Sequence, residues 1–212
     1  MDRKLTVAEI LGEAMRLGSA NAGIAIACIF GLTTLNVVLD RLMPGNASTL
    51  PATFANLGAE YALIIMALTG LGLRGGNAGF GAFFGINFLA GLGILLGMIL
   101  LIVPGLILAA RWSAANAALL AEGEGVNAAL SRSWDMTRPS LWPIIGTQLV
   151  IFVPALVIAF SALFALNAAM PIAANAVMYL VLFAASTLSW LAGVAIYALL
   201  RPATDELAEV FA

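Results

Sequence analysis

Apolar residues along this chain come in long runs rather than in alternation. Ala20 to Leu39, Leu57 to Leu73, Phe83 to Ala121, Leu141 to Leu166 and Ile172 to Leu200 are almost free of charge, and the segments between them carry most of it. A helix rises about 1.5 Å per residue and the hydrocarbon core of a bilayer is about 30 Å thick, so about twenty apolar residues make one crossing. A transmembrane barrel would show alternating segments of about ten residues, a pattern not found here. The pattern predicts an all-α polytopic membrane protein.

The run from 83 to 121 is too long for one crossing, since its 39 residues would extend about 58 Å as a helix. It must fold back. Pro104-Gly105 is the expected break, because proline lacks an N–H and glycine tolerates a reversal. This gives spans three (Phe83 to Val103) and four (Gly105 to Ala121), and six in total. The distribution of cations agrees. With the N-terminus in the cytoplasm, six spans put Arg3, Lys4, Arg16, Arg74, Arg132, Arg138 and Arg201 inside and only Arg41 outside, as the positive-inside rule requires. The expected site is a bacterial cytoplasmic membrane, with both termini cytoplasmic. The hairpin LLIVPGLIL has no polar residue, so whether it reaches the outer surface or turns within the bilayer stays open.

Shorter amphipathic patterns flank the spans. Residues 1–18 read as a cytoplasmic interfacial helix, opened by a capping box of Thr6 and Glu9, with Val7, Leu11, Ala14, Met15 and Gly18 on its apolar face. Its mixed charge does not fit a cleaved signal. Residues 19–201 form the membrane domain. Within it, residues 125–138 read as a second interfacial helix, an elbow whose apolar face is Val126, Ala129, Leu130, Ser133, Trp134 and Thr137. Residues 202–212 are an acidic tail. LMPGNASTLPATFAN reads as the longest loop, which places Glu60 near the outer end of span two. RGGNAGFG reads as a flexible turn. Pro154 should kink span five. Glycines 81, 85, 93 and 97 and alanines 110, 114, 117, 118 and 121 have the spacing of close helix packing.

Composition narrows the function classes. The chain is 63% hydrophobic and 9% charged, with a mean hydropathy of +1.07, which suits lipid rather than water. The net charge of −2 removes nucleic acid as a partner, because binding phosphate backbones needs a basic stripe. There is no histidine, so the commonest metal ligand and general base are missing. No metal site, no cofactor and no catalytic residue is expected. Cys28 reads as a small core residue.

Arg111 is the only charge embedded in apolar sequence. Seven residues past Pro104, it should sit near mid-bilayer, where an uncompensated charge costs at least about 2.5 kcal/mol. Glu60, Asn116 and the carbonyls around Pro104 are its candidate partners. One reading makes Arg111 an anion or lipid-phosphate contact, with Glu60, Asn87 and Asn116 completing a polar cavity; the plainer one makes it a structural clamp. Asn36, Gln148, Asn167 and Asn175 are further amides in or near the spans, more ordinarily helix-to-helix hydrogen bonds. Glu122, Arg132, Trp134 and Arg138 on the elbow are candidates for docking a partner or a lipid headgroup.

The order Ile102-Val-Pro-Gly-Leu-Ile-Leu-Ala-Ala-Arg111, then Glu122-Gly123, Ala129-Leu130, Ser133-Trp134, Thr137-Arg138 and Trp142, resembles the membrane domain associated with bacterial glycerophosphoryl diester phosphodiesterases. The likeness covers Leu101 to Trp142, about a fifth of the chain. Tyr197-Ala-Leu-Leu-Arg201 departs from the family's Tyr-Asp-Leu-Arg-like ending. The resemblance implies a six-span inner-membrane domain without the catalytic barrel, and carries over no catalytic residues. Together these readings lead to the expectation of a non-catalytic membrane module that scaffolds a partner or organises lipid, with membrane lipids, a protein partner or a second copy as its contacts. The alternative is a transporter or flippase of a lipid or small solute, with a cavity around Arg111.

Overall fold

The computed structural model describes residues 4–43, 45–166 and 168–201, and among these there is no strand. In chain order the helices are α1 (Val7–Ala20), α2 (Ala22–Leu42), α3 (Thr49–Gly70), α4 (Phe80–Leu100), α5 (Ile102–Arg111), α6 (Ala115–Glu122), α7 (Val126–Met136), α8 (Leu141–Leu166) and α9 (Pro171–Leu200). Six stretches are long and apolar enough to cross a membrane, the fourth being α5 and α6 together, Ile102–Glu122. The chain is a multi-pass helical membrane protein. Arg3 and the acidic tail lie outside the described residues.

Helix α9 is the centre. It packs against α1, α2, α3, α6 and α8, and from Leu191 to Tyr197 every residue is buried. Small side chains make that possible: a Cβ on Gly193 would lie 2.5 Å from the Ser113 carbonyl oxygen. Helices α4 and α8 face outward over most of their surface, with Phe88, Leu92, Val157 and Phe160 exposed as lipid-facing residues.

The capping box forms as the sequence indicates. Thr6 Oγ1 accepts from Glu9 N–H at 3.2 Å, and Thr6 N–H donates to Glu9 Oε2 at 2.7 Å. The buried face of α1, however, is Ile10, Ala14 and Leu17, while Met15 is exposed. The helix turns that stripe onto α8 and α9. Leu5 N–H, just before it, donates to Ser140 Oγ at 2.9 Å.

Three connections differ from the sequence reading. The expected long loop is a 3-10 turn, Gly45–Ser48, and α3 already starts at Thr49. Pro51 falls in the first turn of α3, where the missing N–H is harmless, and Ser48 Oγ bonds to Asp40 Oδ1 at 3.3 Å across the turn. Glu60 is therefore in the middle of α3 and not near its outer end. The reversal between the third and fourth crossings is at Leu101, which is extended with φ −161° and ψ 137°, rather than at Pro104-Gly105. Pro104 lies in the first turn of α5, and Gly105 serves close approach: a Cβ there would be 2.8 Å from Met98 N. The hairpin tip, Leu100 to Val103, is 61–78% exposed and wholly apolar. The glycine-rich turn is packed, not free, since Gly75 N–H donates to Ala121 O at 3.0 Å. A Cβ on Gly76 would lie 2.2 Å from Gly123 N, and Gly123, at φ +72°, closes α6 in the left-handed conformation.

Other readings stand. Residues 141–166 form the fifth span as drawn, α8 running on through Pro154. The alanines 110, 114, 117, 118 and 121 are all buried. Gly93 and Gly97 face Trp112 and Gly105, whereas Gly81 touches nothing.

These contacts gather the start of α1, the 75–76 turn, the elbow and the end of α9 at one end of the bundle. Asp40 and Tyr179, hydrogen-bonded at 2.6 Å, mark the other. In a Cys28→Ala background, Ser131→Cys and Ser19→Cys will be modified from one side of sealed vesicles and Ala47→Cys from the opposite side by a membrane-impermeant maleimide. All three reacting from the same side would refute the threading. Gly193→Ala will destabilise the detergent-purified protein by about 1–3 kcal/mol through overpacking, read as a lowered melting temperature. Gly23→Ala, with open space at its Cβ, will not.

Candidate functional site

The fourth crossing is not one helix. It breaks at Trp112-Ser113-Ala114 without a proline or glycine, and the free backbone groups there are met by the elbow. Ser133 Oγ donates to Arg111 O at 2.7 Å and accepts from Ala114 N–H at 3.2 Å; Thr137 Oγ1 lies 3.2 Å from the same Arg111 carbonyl. Both hydroxyls are fully buried. A broken helix in a membrane protein persists only where such partners replace the lost ladder.

Arg111 ends α5 at this joint. Its guanidinium carbon is 5.3 Å from the centroid of the Trp134 ring, and Nη1 reaches the Trp134 carbonyl at 3.4 Å. It meets none of Glu60, Asn116 or the carbonyls around Pro104, and it does not line the cavity described below. The expected grouping of Arg111 with the other polar residues does not occur, because the break turns its side chain toward α7. Its partner is an aromatic face, an interaction that sequence spacing does not reveal.

Of the elbow's expected apolar face, Ala129, Leu130, Ser133 and Thr137 are buried and Val126 is partly buried, whereas Trp134 is exposed. The candidate docking residues, though, are largely engaged within the protein. Glu122 Oε1 accepts from Tyr197 Oη at 2.9 Å and lies 3.4 Å from Arg132 Nε. Trp134 is 38% exposed beside Arg111, and Arg138 remains exposed.

The other three candidates do converge. Glu60 on α3, Asn87 on α4 and Asn116 on α6 form a chain in which Asn116 Nδ2 donates to Glu60 Oε1 at 2.7 Å and to Asn87 Oδ1 at 3.2 Å. Asn87 Nδ2 donates to its own helix at Phe83 O, 3.0 Å away. These side chains line a half-enclosed cavity of about 420 Å³ between the α4–α5 hairpin and the α8–α9 pair. Gln148 and Ser189 line the same space, with Ser189 Oγ donating to Gln148 Oε1 at 3.0 Å. Five polar side chains from five helices, with Ser113 at the break between α5 and α6, thus line one cavity. Its remaining wall is apolar, including Ile94, Met98, Leu106 and Phe152, with Trp112 and Trp190 beside them.

Glu60 is 9% exposed. No lysine or arginine lies within ion-pair distance of it among the described residues, and its second carboxylate oxygen has no hydrogen-bond partner among them. Gln148 and Ser189 were the participants that the sequence did not single out as site residues. A faint signal existed, in that Gln148 and Glu60 are the only long polar side chains in the interiors of their spans. Asn36 is turned back onto Leu32 O, and Asn167 lies outside the described residues. Among the described residues no three His, Cys, Asp or Glu side chains are grouped as metal ligands.

Comparison with protein-family models, curated proteins and solved structures finds no match to this chain.

Ser133→Ala removes one side chain that serves two backbone groups. It will lower the melting temperature in detergent by an amount corresponding to about 1–3 kcal/mol, the cost of leaving buried groups unpaired. Arg111→Ala will also lower it, by a smaller amount, through loss of the stacked cation. If Arg111→Ala leaves the melting temperature unchanged and abolishes phospholipid co-purification, the clamp role is wrong.

Proposed function

We propose that this is a non-catalytic membrane protein that binds, and passes across the bilayer, a small solute or lipid-like molecule in the cavity between the α4–α5 hairpin and the α8–α9 pair. The observation that carries this reading is the meeting of Glu60, Asn87, Asn116, Gln148 and Ser189 on one cavity. Burying polar side chains inside a membrane is costly, and they gather around ligands or water paths more often than at random. The volume lies in the lower part of the range for small-molecule pockets, about 300–1,000 Å³.

The scaffold reading draws on the elbow, whose charges Glu122 and Arg132 are taken up by internal partners. That favours the cavity over the elbow. The resemblance of Leu101 to Trp142 to the membrane domain of glycerophosphoryl diester phosphodiesterases, together with the charge asymmetry, supports placing the chain in a bacterial inner membrane with both termini cytoplasmic.

Gly91 lines the cavity and has open space at its Cβ. Native mass spectrometry of the protein extracted from its own membrane will show a bound small molecule that Gly91→Phe excludes while leaving the melting temperature within about 1 kcal/mol of the original. A ligand retained in Gly91→Phe, or none in the parent, would refute the proposal.

A further inference from the structure

The solute-binding reading leaves the chemistry of the solute open, and the charge balance of the cavity narrows it. Among the described residues, Glu60 is the only ionisable side chain on its wall. Asn116 spends both Nδ2 hydrogens, one on Glu60 Oε1 at 2.7 Å and one on Asn87 Oδ1 at 3.2 Å, so it holds one carboxylate oxygen, and the other has no hydrogen-bond partner among the described residues. An ionised acid inside a membrane calls for a counter-charge, and no lysine or arginine among the described residues is within reach of Glu60. Arg111 is stacked on Trp134 outside the cavity, so among the described residues no cation lines the wall to hold an anion. A single carboxylate, without a second acid beside it, is too little for a divalent metal ion.

The rest of the wall suits an organic cation. Trp112, Trp190 and Phe152 offer aromatic surface, which attracts ammonium groups through the ring quadrupole. Ile94, Met98 and Leu106 form an apolar side where a hydrocarbon substituent can lie. We infer that the cavity selects a positively charged nitrogen bearing an apolar substituent, its charge against Glu60 and its hydrocarbon part against the α4–α5 hairpin. This rests on the solute-binding proposal and adds the sign of the charge and the shape of the molecule.

The test uses the full chain purified in a neutral detergent, with tryptophan fluorescence as readout because Trp112 and Trp190 line the cavity. Benzyltrimethylammonium is the probe, benzenesulfonate and benzyl alcohol are its anionic and neutral counterparts, and sodium chloride sets a common ionic strength. The ammonium should give a saturable change, at least tenfold weaker in Glu60→Gln and lost in Gly91→Phe, and the sulfonate none. Gln at 60 keeps an acceptor for Asn116, so the hydrogen-bonded chain survives. Should that variant aggregate, the preference of the unmodified protein for the ammonium over benzyl alcohol decides instead. Equal binding by Glu60→Gln, or binding of the sulfonate as tight as that of the ammonium, overturns the inference. Benzyl alcohol binding as well as the ammonium, and blocked by Gly91→Phe, overturns it while leaving solute binding intact. No saturable change with any of the three probes removes the cavity reading as well.

Discussion

The architecture depends on one backbone constraint. In the low-dielectric interior a carbonyl or N–H left without a partner costs several kcal/mol, and this chain interrupts its fourth crossing at Trp112 to Ala114. Two hydroxyls of the elbow helix, Ser133 and Thr137, take over those groups. Because the repair comes from α7, that helix cannot lie loosely on the membrane surface. It is drawn against α4 and α6, which fixes where α8 begins and, through Ser140, where α1 starts.

The interruption also explains the separation of the two intramembrane charges. A straight helix from Ile102 would have kept Arg111 and Asn116 on one rod, five residues and about 7.5 Å apart along the axis. With the break between them, Arg111 finishes one helix facing Trp134 and Asn116 sits in the first turn of the next, facing Glu60. A cation and an acid that could have neutralised each other are kept apart. The acid is left with the Asn116 amide as its partner on the cavity wall.

The sequence disclosed those features that rest on length and period. Twenty apolar residues mean a crossing whatever the neighbours do, so the six spans and the 141–166 boundaries were readable. The elbow's face was readable too, because its buried residues recur every three to four positions. Features that depend on a distant partner were not. Nothing local marks Trp112-Ser113-Ala114 as a break, since its cause lies some twenty residues later in Ser133. The proline rule pointed to Pro104, yet a proline in a first turn breaks nothing, and the reversal fell three residues earlier, at Leu101. The same rule misread Pro51, which starts α3 instead of keeping the segment open, and so displaced Glu60 by half a helix. On α1, Met15 was assigned inward and Ile10 left out, because a short helix with apolar residues on several sides leaves its orientation to α8 and α9.

The segment from Leu101 to Trp142 has a physical rationale that does not pass through a ligand. Gly105 lets α5 approach α4, Arg111 and Trp134 stack, Ser133 and Thr137 close the break, and Glu122 with Gly123 ends α6 against Tyr197 and the 75–76 turn. Each of these residues has a task in building the joint; of the cavity's polar side chains, Glu60, Asn87, Gln148 and Ser189 fall outside the segment and Asn116 falls within it. A chain could keep this joint while changing the carboxylate on α3 or the amide on α8, and with them the polar lining of the cavity. The segment 101–142 therefore fixes how the backbone is threaded and supplies one wall of the cavity through Leu106, Trp112 and Asn116, whereas the cavity's other polar groups come from α3, α4, α8 and α9, in positions that no continuous motif would collect.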